Sequence, residues 1–288
     1  SYAEPLDPVK LLSSYVGIDT VNPPGNESRA VDFYAKIFEE EGIEFSSAES
    51  APGRGNIWAR IKGGDLPALV LLQHTDVVPA TKKYWDTDPF VAEIKDGYLY
   101  GRGVIDMKGA GISQLVSFIR LHRSGLSLNR DVVFVATADE EAGGMFGAGW
   151  LIDNHPEIFE GAGFVINEGG SGQIIDGEKV FAIEITQKVP VWLRFTAVDT
   201  PGHGSSPRTT SSVSRIVHAL KLVMVNPLES LINPSVVTFF LRLSLTLPGQ
   251  EVDSIAIMKI FIGRMDFLLD LLESSYTYLV SPSATYAA

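Results

Sequence analysis

The sequence predicts an α/β fold in which a mostly parallel-sheet domain is followed by a smaller α+β domain. Three observations carry this expectation. The short runs ALVLLQ (68–73), VVFVAT (132–137) and GFVIN (163–167) are apolar on both faces, as strands covered on both sides must be. Between them lie segments whose apolar residues recur at helical spacing, and strands alternating with helices build a sheet of parallel neighbours. Near residue 187 the texture changes: VPVWLRFTAV alternates apolar with polar residues, which suits a half-solvated antiparallel strand. The expected domains are therefore 1–186 and 187–288.

The elements follow in order. Asp7 before Pro8 is an N-cap with proline at the first helical position, opening a helix that runs to about Val16. VNPPGNES (21–28) cannot continue a helix and is a loop. From Ser28 to Glu41 the positions of Ala30, Val31, Phe33, Tyr34, Ile37 and Phe38 describe an amphipathic helix, with Gly42 as its C-cap. NIWARI (56–61) reads as a strand, 107–123 as a helix closed by Ser124 and Gly125, and 145–153 as a further helix. After the loop DTPGHGSSP a helix is expected over 211–224, and the rest contains apolar helical stretches such as IAIMKIFIGRMDFLLDLL without a chemical motif.

Composition excludes several classes of function. Against 35 Asp and Glu stand 23 Lys and Arg, a net charge of −12, which disfavours nucleic acid and anionic membrane surfaces as partners. No window reaches the roughly 18 apolar residues of a membrane span. The chain opens without an initiator Met and without the apolar core of a signal peptide. It therefore reads as soluble, and its compartment, cytoplasmic or exported after removal of an N-terminal segment, is not legible. There is no Cys, so disulfides, thiolate metal sites and cysteine nucleophiles are excluded, and any metal must be held by His, Asp or Glu.

The candidate chemistry gathers behind the strands. His74 and Asp76 follow ALVLLQ, Asp139, Glu140 and Glu141 follow VVFVAT, Glu168 follows GFVIN, and Asp106 stands at the entry to the long helix. In an open parallel sheet ligands bind beyond the carboxyl ends of the strands, so these groups converge there. Each piece alone reads as a surface loop, a solvated turn or a helix cap; their shared placement points to a divalent cation, Zn, Co or Mn. Of the other histidines, His122 lies near a helix end, His155 precedes a proline and His218 sits on the 211–224 helix, none with a chemical context. GRGVID lacks the third glycine of a dinucleotide loop, and neither GGSGQ nor GHGSS completes a serine-hydrolase elbow.

HTDVVPA, WDTDPF and DGYLYGRGVIDMKG within 74–109, with TADEEAGGMFGAGWL, INEGG and DTPGHGSSP, resemble the dinuclear zinc metallopeptidase family of aminoacylase, carboxypeptidase G and succinyl-diaminopimelate desuccinylase. The HTDVVP, DPF and NEGG forms are most similar to the branch of carboxypeptidase S and the N-acyl amino acid hydrolases. The resemblance implies a zinc-peptidase catalytic domain followed by a lid and dimerisation domain. It implies two zinc ions, with His74 and Glu168 on one, Glu141 on the other, and Asp106 bridging both beside a cis peptide bond. Asp76 would hydrogen-bond His74, and Glu140 would be the general base for a metal-bridging water. His203 would reach the substrate in the partner's site of a homodimer. The implied substrates are N-acyl amino acids or small peptides with a free carboxylate; Arg208 and Arg242 are candidates for binding that carboxylate, without a motif.

Elementary chemistry agrees with these roles. Two divalent ions about 3.5 to 4 Å apart need a bridging anion, which a carboxylate supplies and an imidazole does not. Neighbouring side chains on extended backbone diverge, so Glu141 can ligate while Glu140 faces the water.

The resemblance also implies a further His, beyond the lid, on the second zinc, and none follows His218. The match runs to about residue 225, and the lid domain is expected to be incomplete. Two readings stand: the N-terminal part of an amide-cleaving metallohydrolase, or a catalytically impaired homologue that keeps one metal site and acts as a binding or assembly module.

Overall fold

The computed structural model of the protein describes residues 6–175, 177–184, 193–206, 208–226 and 238. Contacts divide the chain after Gly169 into two compact units. The boundary expected at 187 falls outside the described residues.

In the first unit, helices α1 (Pro8–Val16) and α2 (Ser28–Glu41) lead into strands β1 (Phe45–Glu49), β2 (Gly55–Ile61) and β3 (Leu66–His74). A small hairpin, β4 (Glu93–Lys95) with β5 (Tyr98–Tyr100), precedes α3 (Gly109–Ser124), β6 (Arg130–Thr137), α4 (Ala148–Asn154) and β7 (Ala162–Ile166). The helix ends follow local chemistry. The Asp7 carboxylate accepts the amides of Val9 (3.0 Å) and Lys10 (3.2 Å), satisfying donors that the first turn of α1 leaves open. Gly42 closes α2 at φ 65°, a left-handed conformation that glycine adopts without a Cβ penalty.

The five-stranded sheet has the order β1-β2-β6-β3-β7. β6, β3 and β7 run parallel, in agreement with the predicted α/β fold, while β2 pairs antiparallel with β6 and with β1, which the sequence reading did not include. The two faces of the sheet have separate cores. On one, Phe134, Ala136, Ile57 and Leu71 meet Tyr34 and Phe38 of α2 and Leu115, Phe118 and Ile119 of α3. On the other, Val70, Val133 and Val135 pack with Leu151 of α4 and with Ile158. Double coverage is what the continuous apolar runs of β3 and β6 require.

β7 departs from expectation. Phe164, Val165 and Ile166 are about half exposed, at 60%, 54% and 49%. The strand lies at the edge of the sheet, pairing only with β3 among the described residues, so its apolar run is not buried on both faces.

The second unit contains a hairpin, β8 (Ser171–Ile175) with β9 (Glu178–Ala182), and helix α5 (Ser212–Val225). α5 lies one residue from its predicted bounds and opens on a capping box, in which Ser211 and Ser214 each satisfy the other's backbone amide. Of the strand expected over 189–198, residues 189–192 lie outside the described ones, and 193–198 join no ladder among the described residues. The helical stretches expected beyond 226 also lie outside them, residue 238 apart. Among the described residues no helix is long and apolar enough to cross a membrane.

Phe134 is the centre of the larger core, fully buried against Tyr34 (5.4 Å between ring centroids), Phe38 (5.5 Å) and Phe118 (5.7 Å). Phe134→Ala is expected to remove about 3 to 5 kcal/mol of stability, read as a lower urea midpoint at unchanged slope. A loss below about 1 kcal/mol would show that the surrounding rings collapse into the cavity.

Candidate metal centre

Three adjacent parallel strands deliver the polar residues to one edge of the sheet. His74 is the last residue of β3, paired in register with Thr137, the last of β6. The residues after Thr137 turn sharply and carry Asp139, Glu140 and Glu141; two residues past β7 comes Glu168. The fourth contribution is the turn Val104–Lys108, which carries Asp106 and leads into α3. The Asp106–Met107 peptide is cis, as the resemblance implies.

This turn is held down by Lys108. Its side chain is buried, with Nζ donating to the carbonyls of Tyr15 (3.1 Å) and Ile18 (2.8 Å) at the end of α1 and lying 4.7 Å from the Tyr15 ring. Burial pushes the ammonium down to about 8. α3 approaches closely over Gly111, where a Cβ would stand 1.8 Å from Gln73 Oε1, so a side chain there would have to displace the buried Gln73 amide.

His74 is the centre of the constellation. Its Nε2 lies 3.1 Å from Asp106 Oδ1, 3.5 Å from Glu168 Oε2 and 3.9 Å from Glu140 Oε2. Its Nδ1 lies 3.0 Å from the Asp76 backbone carbonyl and 3.4 Å from Asp76 Oδ1, so the backbone oxygen makes the shorter contact. A carbonyl cannot donate, so Nδ1 carries the proton and Nε2 is turned toward the carboxylates. His74, Asp106 and Glu168 each offer a ligand atom, all within 4.8 Å of one another. Glu141 is outside this group. It is held near by its backbone amide, which donates to Asp76 Oδ2 at 3.1 Å, while the Glu140 amide donates to Asp76 Oδ1, also at 3.1 Å.

The donor set fits a divalent cation. It is one imidazole and several carboxylates, without sulfur, which suits a hard to borderline ion. The electrostatics point the same way. Burial works against a charged His74, yet its hydrogen bonds with Asp106, Asp76 and Glu168 outweigh that and push the imidazole up to about 12. Burial, then the charge of Asp106, push Glu141 up to about 7. Burial likewise raises Glu140, partly opposed by His74 and reinforced by Glu168, Asp76 and Asp106. The acids thus divide: Asp106 and Asp76 are held below the usual carboxylate range while Glu140 and Glu141 are raised, and a cation would favour ionisation of the last two.

The remaining candidates are not part of this group of residues. His203 belongs to the second unit and is exposed, its Nδ1 2.8 Å from Ser205 Oγ. Arg208 is engaged by Asp199 and Thr200, and Arg242 lies outside the described residues. His155 packs between the rings of Trp58 (5.0 Å) and Trp150 (5.3 Å). Sequence reasoning missed Asn22, Arg54 and Lys108, and it left Asp139, the first acid of the DEE run, without a role. Asn22 donates to Asp76 Oδ2 at 2.8 Å, and Arg54 pairs with Asp139 and Glu27. The available signals were slight: an Asn inside a proline-rich loop, a Lys two residues after Asp106, and an isolated Arg before a strand.

A family model described as Peptidase family M20/M25/M40 matches residues 70–279, well over half of the chain. The chain belongs to that family. It shares 34% identity over 200 residues with aminoacylase-1 of Sus scrofa, covering 68% of this chain and 48% of that protein. Aminoacylase-1B of Rattus norvegicus is 32% identical over 200 residues with the same coverage. N-fatty-acyl-amino acid synthase/hydrolase PM20D1 of Xenopus tropicalis is 31% identical over 241 residues, covering 77% of this chain and 46% of that protein. The chain thus spans about half the length of the curated M20 relatives it matches.

Two outcomes follow from the cluster. Between its ordinary 4.5 and about 7, Glu141 holds a proton in the folded chain that the unfolded chain has released, so this group's contribution to stability falls as pH rises through that window. A cation must displace the same proton, so metal affinity is expected to rise across the window; a competition titration giving a flat affinity from about pH 5 to 7 would separate Glu141 from the ion. Asp76→Ala removes the acceptor of both turn amides and is expected to weaken metal affinity by about 10- to 100-fold. Unchanged affinity in the same titration would make Asp76 dispensable.

Proposed function

We propose that the chain supplies the metal-binding part of a zinc-dependent hydrolase that cleaves the amide bond of N-acyl amino acids or small peptides bearing a free carboxylate. The observation that carries this reading is the convergence of His74, Asp106 and Glu168 at the strand ends, with the Glu140 carboxylate 3.9 Å from the same imidazole nitrogen. Membership of the M20 family supports it, as do the activities named for the relatives. Cobalt or manganese would suit the same donors.

In this reading His74 and Glu168 would hold one zinc, Glu141 a second, and Asp106 would be shared between the two. Such metals would supply polarisation of the amide carbonyl and a water whose pKa is lowered from about 15.7 toward about 7. The protein's own residues do the rest. Asp76 keeps the His74 ring in register through its backbone carbonyl and carries the Glu140 and Glu141 amides on its carboxylate. Glu140, raised by burial among other acids, has the proton affinity to take a proton from the attacking water and to return it to the departing amine. His203 of one protomer serves the substrate in its partner's site, in a homodimer formed through the second domain.

A second reading, a chain that holds one metal and acts as a binding or assembly module, is favoured by the position of Glu141 outside the three-residue ligand group. Glu140→Ala distinguishes the roles. Hydrolysis of an N-acyl amino acid is expected to fall at least about 100-fold while bound metal, measured by elemental analysis, stays unchanged. Turnover that survives overturns the assignment of Glu140. In the unaltered protein, two zincs per chain support the dinuclear reading and one supports the alternative.

A further inference from the structure

Joined to the acidic cluster through Asn22 and Asp76 is a buried polar network whose central residue has no part in the proposed chemistry. Its centre is Arg54, at the entry to β2, with a side chain only 8% exposed. Nη2 pairs with Asp139 Oδ1 and, at 3.2 Å, with Glu27 Oε1. Nη1 donates to the Pro24 carbonyl (2.6 Å) and to Asn22 Oδ1 (3.3 Å), and the guanidinium lies 5.3 Å from the centre of the Phe146 ring. Asn22, oriented by that bond, donates from Nδ2 to Asp76 Oδ2 (2.8 Å) and to Asp139 Oδ1 (3.2 Å).

We propose that Arg54 is a positioning residue that acts through Asp139 and Asn22 to hold the turn carrying Glu140 and Glu141 against Asp76. Asp139 sits at φ 69°, a left-handed conformation that a non-glycine residue keeps only where its surroundings over-determine it. The surroundings do so from every side. Its Oδ2 accepts the Phe146 amide (3.0 Å), its carbonyl accepts the Gly144 amide (2.6 Å), its own amide donates to Glu27 Oε1 (3.3 Å), and Oδ1 faces Arg54.

Both nitrogens of the guanidinium fork are in use at once, a geometry that a lysine ammonium cannot reproduce. Without Arg54, Asp139 and Glu27 would be two buried carboxylates with no counter-charge, and Asp139 would have to move toward water. Glu140 and Glu141, the next two residues, would move with it. The inference rests on the roles proposed for Glu140 and Glu141, since positioning matters to chemistry only if they perform it.

Hydrogen exchange of the amides tests the positioning itself. Arg54→Met is expected to speed exchange across 139–147 by about tenfold or more while the β3 and β6 amides keep wild-type protection. The control is Arg60→Met, a partly buried arginine of β2 that bonds Asp131 (2.9 Å) and the Ile158 carbonyl (2.8 Å), and it should leave 139–147 unchanged. In turnover of an N-acyl amino acid, Arg54→Met should lower kcat about tenfold with KM within about twofold, and Arg54→Lys should recover part of the loss.

Unchanged exchange at 139–147, or an equal rise throughout the sheet, overturns the proposal. Selective loosening supports it even if the wild-type chain hydrolyses nothing, a result that would overturn only the hydrolase reading. Should Arg54→Met fail to fold, Arg54→Lys decides the same question, with selective loosening expected and wild-type exchange overturning it.

Discussion

The Asp76 carboxylate is fully buried, and its oxygens are shared among the amides of Glu140 and Glu141 and the side chain of Asn22. Burying an ionised carboxylate costs several kcal/mol unless such partners replace its water, and here the partners come from two other segments. The charge therefore links three stretches of chain: the end of β3, the turn after β6 and the proline-rich loop before α2. Contact with His74, then the hydrogen bond from Asn22, outweigh burial and hold the Asp76 carboxyl below the usual carboxylate range. The network is thus built around the anion, and His74, Glu140 and Glu141 take their places from it.

The centre itself is an electrostatic conflict that the fold imposes. Parallel pairing of β6, β3 and β7 brings three strand ends side by side, and each supplies acids or an acid-bearing neighbour. The hydrogen bonds with Asp106, Asp76 and Glu168 favour a charged His74 despite its burial, whereas burial and the charge of Asp106 work against an ionised Glu141. Arg54 balances Asp139 and Glu27. Within the cluster the charges of His74 and Arg102 act on Asp106 while Glu140 and Glu141 stay raised, which leaves a deficit for a cation. A compensating lysine within the cluster would stabilise the metal-free fold and remove the driving force for binding.

What the sequence reveals follows from how each feature is encoded. α1, α2 and α3 are legible because Asp7, Gly42, Gly125 and the 3.6-residue apolar pattern are local signals. The two-faced apolar runs of β3 and β6 report double coverage directly, whereas the same pattern in β7 misleads, since a run of side chains does not say whether a strand is central or at an edge. β1, with Ser46 and Ser47 at its centre, has no strand pattern of its own and exists through its pairing with β2. The ligand candidates are legible because they follow apolar strands at short distance. Arg54 and Asn22 are not, because their roles depend on partners such as Asp139, 85 and 117 residues away.

The residues brought together at the candidate centre belong to the first unit. His74, Asp106, Glu168, Asp76 and Glu140 all precede Gly170, on elements tied together by strand register and by the Lys108 and Arg54 anchors. The proposed second metal can draw from the same unit only on Glu141 and a share of Asp106, and a carboxylate half shared between two ions is a weaker ligand to each. The first unit therefore brings together, from contacts within itself, one group of residues able to hold a cation. In the dinuclear reading a second ion, adding its charge beside the first, would need Glu141 ionised, which its rise to about 7 allows only as pH increases.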